Sequence, residues 1–80
     1  MLDKIYDFIK DDEFRFTVYE DKVHLINFKR IISLEDNYIS LNSKNKKINI
    51  SGEELILIKL LQNEMLIKGI ISKIEVFNVK

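Results

Sequence analysis

Residues 51–61, Ser-Gly-Glu-Glu-Leu-Ile-Leu-Ile-Lys-Leu-Leu, admit two readings with opposite consequences for the rest of the chain. In the first, Ser51 and Glu54 form an S-x-x-E capping box that opens an apolar helix. In the second, Leu55-Ile56-Leu57-Ile58 is a strand. The run is continuous rather than striped, and apolarity on both faces suits a central strand covered from each side. Isoleucine is also a middling helix former. The strand reading is favoured, and it makes the chain mainly β.

Working outward, the same period-two pattern recurs on both sides. Upstream, Phe14, Phe16 and Val18 alternate with Arg15, Thr17 and Tyr19 before a Glu20-Asp21 turn. Val23 and Leu25 begin a second strand, with Ile26 and Phe28 assigned to its opposite face. Ile31-Ile32-Ser33-Leu34 leads to a turn at Glu35-Asp36-Asn37, and Ile39 and Leu41 to a turn at Ser43-Lys44-Asn45. Ile48 and Ile50 alternate with polar residues until Gly52. Downstream, Gln62-Asn63-Glu64 turns the chain, Met65-Leu66-Ile67 forms a strand ending at Gly69, and Ile71, Ile74 and Val76 carry the last strand, with Phe77 and Val79 behind it. Ile48-x-Ile50-x-Gly52 returns as Met65-x-Ile67-x-Gly69. Two copies are too few for a solenoid, and the echo reads as two equivalent units of one sheet. Gly52 and Gly69 suit bends that a side chain would strain.

Composition agrees. The 80 residues hold 14 Ile, 4 Val, 5 Phe and 3 Tyr but no Ala, Pro or Trp, and β-branched and aromatic side chains fit a pleated, half-buried surface. Residues 1–12 depart from the pattern. Leu2, Ile5, Tyr6 and Ile9 fall at helical spacing with Asp3, Lys4, Asp7 and Lys10 on the other side. A short amphipathic helix is expected there, packed on its own sheet or on a partner chain. The expected organisation is therefore a helix over 1–12 and one β domain over 13–80. In it an antiparallel meander of about seven short strands forms a sandwich or partly open barrel.

Charge and residue types exclude several functions. Thirteen basic and thirteen acidic side chains balance, which argues against a protein that holds nucleic acid mainly by neutralising phosphates. Without cysteine there is no disulfide framework and no thiolate metal site. The lone histidine, His24, leaves no Cys/His zinc cluster. No cofactor is expected. No apolar run is long enough to span a bilayer, and the acidic start does not resemble a signal peptide, so a cytoplasmic location without membrane insertion is expected. His24 reads as a surface or half-buried strand residue rather than a general base. The acid pairs Asp11-Asp12, Glu35-Asp36 and Glu53-Glu54 sit at turns or termini, where solvated carboxylates are usual. An enzyme is not expected. Lys44, Lys46 and Lys47 form the densest basic patch. They support an alternative role as a small β module for RNA or anionic lipid surfaces, although sheet-type RNA binders also gather two or three aromatics on one face.

Taken in order, Leu25-Ile26-Asn27, Ile31-Ile32, Ile39-Ser40-Leu41, Ile48-x-Ile50-x-Gly52, Leu55-Ile56-Leu57-Ile58, Glu64-Met65-Leu66-Ile67-Lys68-Gly69 and Ile71-x-x-Ile74-x-Val76-Phe77 resemble the YabP/YqfC family of sporulation proteins, most closely its YqfC branch. The resemblance implies a non-enzymatic interaction or assembly protein that acts by self-association and with a membrane-associated protein partner. It also implies a place on the mother-cell side of the developing spore envelope in a sporulating bacterium. The residues expected to make contacts are Leu2, Ile5 and Ile9 on the N-terminal face and Val76 and Phe77 on the last strand.

Overall fold

The computed structural model describes residues 13–79, all of them strand, turn or connecting chain. The expected N-terminal helix, with Leu2, Ile5 and Ile9, lies outside the described residues. Six strands follow in order: β1 (Arg15–Val18), β2 (Lys22–Ile26), β3 (Arg30–Leu34), β4 (Tyr38–Asn42), β5 (Lys46–Leu60) and β6 (Glu64–Asn78). They form one open sheet of order β1-β2-β6-β5-β4-β3 in which all neighbours are antiparallel. The mainly β, antiparallel expectation holds, and residues 53–60 are strand rather than helix.

Four connections are tight hairpin turns at the polar dipeptides read from the sequence. They are closed by backbone bonds from Tyr19 to Lys22, Glu35 to Tyr38, Ser43 to Lys46 and Leu61 to Glu64, at 2.7–2.9 Å. The β2–β3 connection works differently. Asn27 has φ 65°, a left-handed conformation that asparagine tolerates better than most residues. Its N–H donates to the Asn63 carbonyl at 2.6 Å. Its side-chain amide donates to the Glu13 carbonyl at 2.8 Å, and its side-chain oxygen accepts from Asn63 at 3.1 Å. This reversal swings Phe28 into the core, which corrects its assignment to the opposite face.

About seven short strands were expected and six are seen, because neither glycine ends a strand. Gly52 lies inside β5 and Gly69 inside β6, each strand 15 residues long. The ladder between them shifts register at Ser51/Gly52, between Glu53 and Ile56, and between Leu57 and Lys59. Bulges of this kind bend a strand and increase its twist. At the bend the backbones approach so closely that a Cβ on Gly52 would lie 2.0 Å from the Ile70 carbonyl oxygen, and one on Gly69 2.7 Å from that of Glu54. Gly69 also has φ 153°, and Glu54 sits at φ 53°.

The 17-residue echo becomes an equivalence in space. Ile48 and Ile50 pair with Leu41 and Ile39 of β4, while Met65 and Ile67 pair with Leu25 and Val23 of β2. The Gly52 N–H donates to the Asn37 carbonyl at 3.1 Å and the Gly69 N–H to the Asp21 carbonyl at 3.0 Å, each in the turn that precedes the covering strand. One half of the sheet is thus β1, β2 and the near part of β6, and the other is β3, β4 and the near part of β5. The eight paired apolar residues are all at most 1% exposed and belong to one cluster, joined by Phe28 and Leu55. Without a helix among the described residues to cover them, such burial requires the bent sheet to curl so that both halves share a single core.

Candidate interaction surface

Five-residue hairpin strands cannot cover fifteen-residue partners. β4 pairs with residues 47–51 of β5, and β2 pairs with residues 64–68 of β6. The Leu55 N–H donates to the Asp36 carbonyl at 2.7 Å, which ends the β4 side of β5. From 56 to 60, β5 is paired with β6 alone among the described residues. Leu57, opposite Ile67, keeps contact with the core. Ile56, Ile58, Leu60 and the following Leu61 are 61, 51, 49 and 52% exposed. An aliphatic stretch therefore coincides with a row of backbone donors and acceptors that no strand of the fold uses. A recess lined by Asp36, Glu54, Leu55, Ile56, Lys68 and Gly69 lies at its bend end.

The other expected contact residues are not gathered on one face. Val76 pairs with fully buried Ile48 and so takes the inner side, whereas Phe77 pairs with Lys47. Successive residues of a strand point to opposite faces. Both are 45% exposed, Val76 at an open groove of about 710 Å³ that it shares with Phe14, Phe16, Arg15, Lys44 and Lys46. The basic patch divides in the same way. Lys44 and Lys46 border this groove while Lys47 does not, and the Lys46 ammonium is tied to the Asn78 side-chain oxygen.

One cluster was not apparent from the sequence, because its members are forty residues apart. His24 Nε2 lies 2.6 Å from Glu64 Oε2, and Lys59 Nζ lies 3.7 Å from Glu64 Oε1. The hydrogen bond with His24, helped by the charge of Lys59, holds the Glu64 carboxyl below its ordinary pKa. The three side chains link β2, β5 and β6 across their register. The groove contains none of them, and Thr17, opposite His24 in the ladder, is exposed on the edge strand. The arrangement serves as an inter-strand clasp. Among the described residues no three His, Asp or Glu side chains converge on a metal position, and no helix is long and apolar enough to cross a membrane.

Comparison with protein-family models, with curated proteins and with solved structures finds no match for the chain.

Proposed function

We propose that the chain is a non-enzymatic assembly module that pairs strands with copies of itself, and with a protein partner, along the free margin of β5. One observation carries this reading. Residues 56–60 combine an unpaired backbone edge with three aliphatic side chains about half exposed or more. Sheet edges are usually blunted by charge, proline or a covering element. Here the one charge in that segment, Lys59, is drawn toward Glu64. Strand addition to such an edge gives affinity through main-chain bonds and specificity through alternate side chains.

The setting rests on the resemblance to the YabP/YqfC family. In this reading the module serves sporulation on the mother-cell side of the spore envelope, beside a membrane-associated partner. The curled sheet then acts as a small sandwich or partly open barrel preceded by the amphipathic helix of residues 1–12.

The test is Ile58→Lys. Ile58 is exposed, so the change leaves the core intact while placing a second cation on the edge. Light scattering over a range of concentrations should show a mass that rises for the parent chain and stays monomeric for the variant. Equal association by both proteins rejects the β5 margin. Recovery of no partner by affinity capture from sporulating cells rejects the sporulation setting.

A further inference from the structure

We propose that the groove between β1 and the β4–β5 turn is the seat of the chain's own N-terminal segment, residues 2–9, held as an intramolecular cover. The floor of the groove is apolar. Phe14 and Phe16 stand with ring centroids 5.9 Å apart and pack against the core only in part, and Val76 beside them is 45% exposed. The rim is basic, with Arg15, Lys44 and Lys46 against the single acid Glu13.

The segment that leads into this groove has the complementary chemistry. Residues 1–12 carry Asp3, Asp7, Asp11 and Asp12 against Lys4 and Lys10, with Leu2, Ile5, Tyr6 and Ile9 at spacing that gathers them on one side. Attachment favours this occupant over any free one, because Glu13 itself lines the groove. The segment therefore starts at the rim, and a short tether supplies an effective concentration of order millimolar. Reversal at Asp11-Asp12 lays Ile9 and Ile5 over the phenylalanines and brings the aspartates toward the lysines.

This inference is independent of the β5 margin, which belongs to the other half of the sheet. It assigns Leu2, Ile5 and Ile9 to contacts within one molecule.

The test uses the full chain, which has no cysteine, so that Asn45→Cys in the exposed turn accepts a single nitroxide. In ¹⁵N-labelled protein the amide signals of residues 2–9 should broaden relative to the sample with reduced label. The broadening should be lost in Ile5→Asp/Ile9→Asp and weakened in Lys44→Glu/Lys46→Glu. A label at Lys44→Cys gives the same reading if the first position perturbs the turn. Unbroadened signals from residues 2–9 overturn the proposal. Broadening that occurs only when ¹⁵N chains without nitroxide are mixed with unlabelled chains bearing it also overturns it, and would place the segment on a second copy. Failure of the β5 reading shows elsewhere, as an Ile58→Lys mass equal to the parent's with these signals unchanged.

Discussion

Replacing Gly52 with alanine adds one methyl group at the closest approach of the two long strands. The new carbon would stand 2.0 Å from the Ile70 carbonyl oxygen and 3.1 Å from Leu55 Cδ2. Ordinary contact begins near 3.4 Å, so β5 and β6 must separate by more than 1 Å. The obstruction is backbone and cannot rotate away. A separation of that size disrupts the ladder at Gly52↔Ile71 and Glu53↔Ile70 and lifts Leu55 from the core. Overpacking costs about 1–3 kcal/mol, and the loss of two backbone bonds adds about 1 kcal/mol each. The expected destabilisation is therefore about 3–5 kcal/mol. A domain of this length has roughly 4–12 kcal/mol in all, at about 0.05–0.15 kcal/mol per residue, so the change removes a third or more. Urea unfolding followed by far-ultraviolet circular dichroism is the assay. With a slope of about 1 kcal/mol per molar, the midpoint should fall by about 3 M, or the variant should be unfolded without urea. Ser51→Ala, at the neighbouring half-buried residue, supplies the baseline. A Gly52→Ala variant within about 0.5 kcal/mol of the parent, the scatter of ordinary surface changes, would refute the argument that strand approach at the bend fixes this residue.

Three further outcomes are expected. Leu25→Ala and Leu41→Ala occupy equivalent positions, both fully buried, and each should cost about 2–5 kcal/mol. A clear inequality in their urea midpoints would show that the two halves do not share one core equally. Glu54→Gly relieves a left-handed residue that costs about 1–2 kcal/mol, against about 0.5–1 kcal/mol for the added freedom of glycine in the unfolded chain. The melting temperature should rise by a few degrees, and a fall would contradict the reading of φ at this bulge. The folded Glu64 carboxyl is depressed below its ordinary 4.5 by the hydrogen bond with His24 and the charge of Lys59. Its contribution is therefore present above the unfolded value and lost as pH falls through the folded one. Glu64→Gln should lose less stability on acidification than the parent does, as measured by urea midpoints at neutral pH and on either side of the carboxylate range, and equal acid sensitivity would remove the clasp from the account.

Much of the sheet was legible in the sequence because its signals are local. Alternation marked β1, β2 and β4, and polar dipeptides marked four turns. The continuous apolar run at 55–58 was rightly taken as strand, for the reason that helix formation would have placed isoleucine on every face. The misreadings occurred where a local rule met a non-local constraint. Gly52 and Gly69 look like strand ends, since glycine weakens a ladder. They are instead the two residues that let paired strands cross a bend without parting, and that need exists only once both strands are side by side. Phe28 followed the alternation of β2 on paper. A left-handed Asn27, held by Asn63 and Glu13 from distant parts of the chain, resets the phase. The His24–Glu64 contact was illegible for the same reason, being a diagonal neighbour across a register that no short window contains.

The free margins follow from the repeat. Each half of the sheet supplies one short hairpin to cover one end of a long strand, which leaves the far end of each long strand with a single neighbour. The two uncovered ends are equivalent in topology yet differ in chemistry. On β6, Lys73 and Glu75 form an ion pair at 3.3 Å, Asn78 engages Lys46, and Val76 faces the groove beside the phenylalanines. Charges of this kind along an edge oppose strand addition. On β5 the corresponding end carries Ile56, Ile58, Leu60 and Leu61, with Lys59 drawn toward Glu64. Folding alone imposes no such difference, because neither set of side chains fills the shared core. Exposed aliphatics on an open edge instead favour association of folded chains over solubility of the single one. Pairing is therefore expected along one margin and not the other, and an edge used on one side of a pseudo-symmetric sheet yields a closed pair of subunits more readily than an open filament.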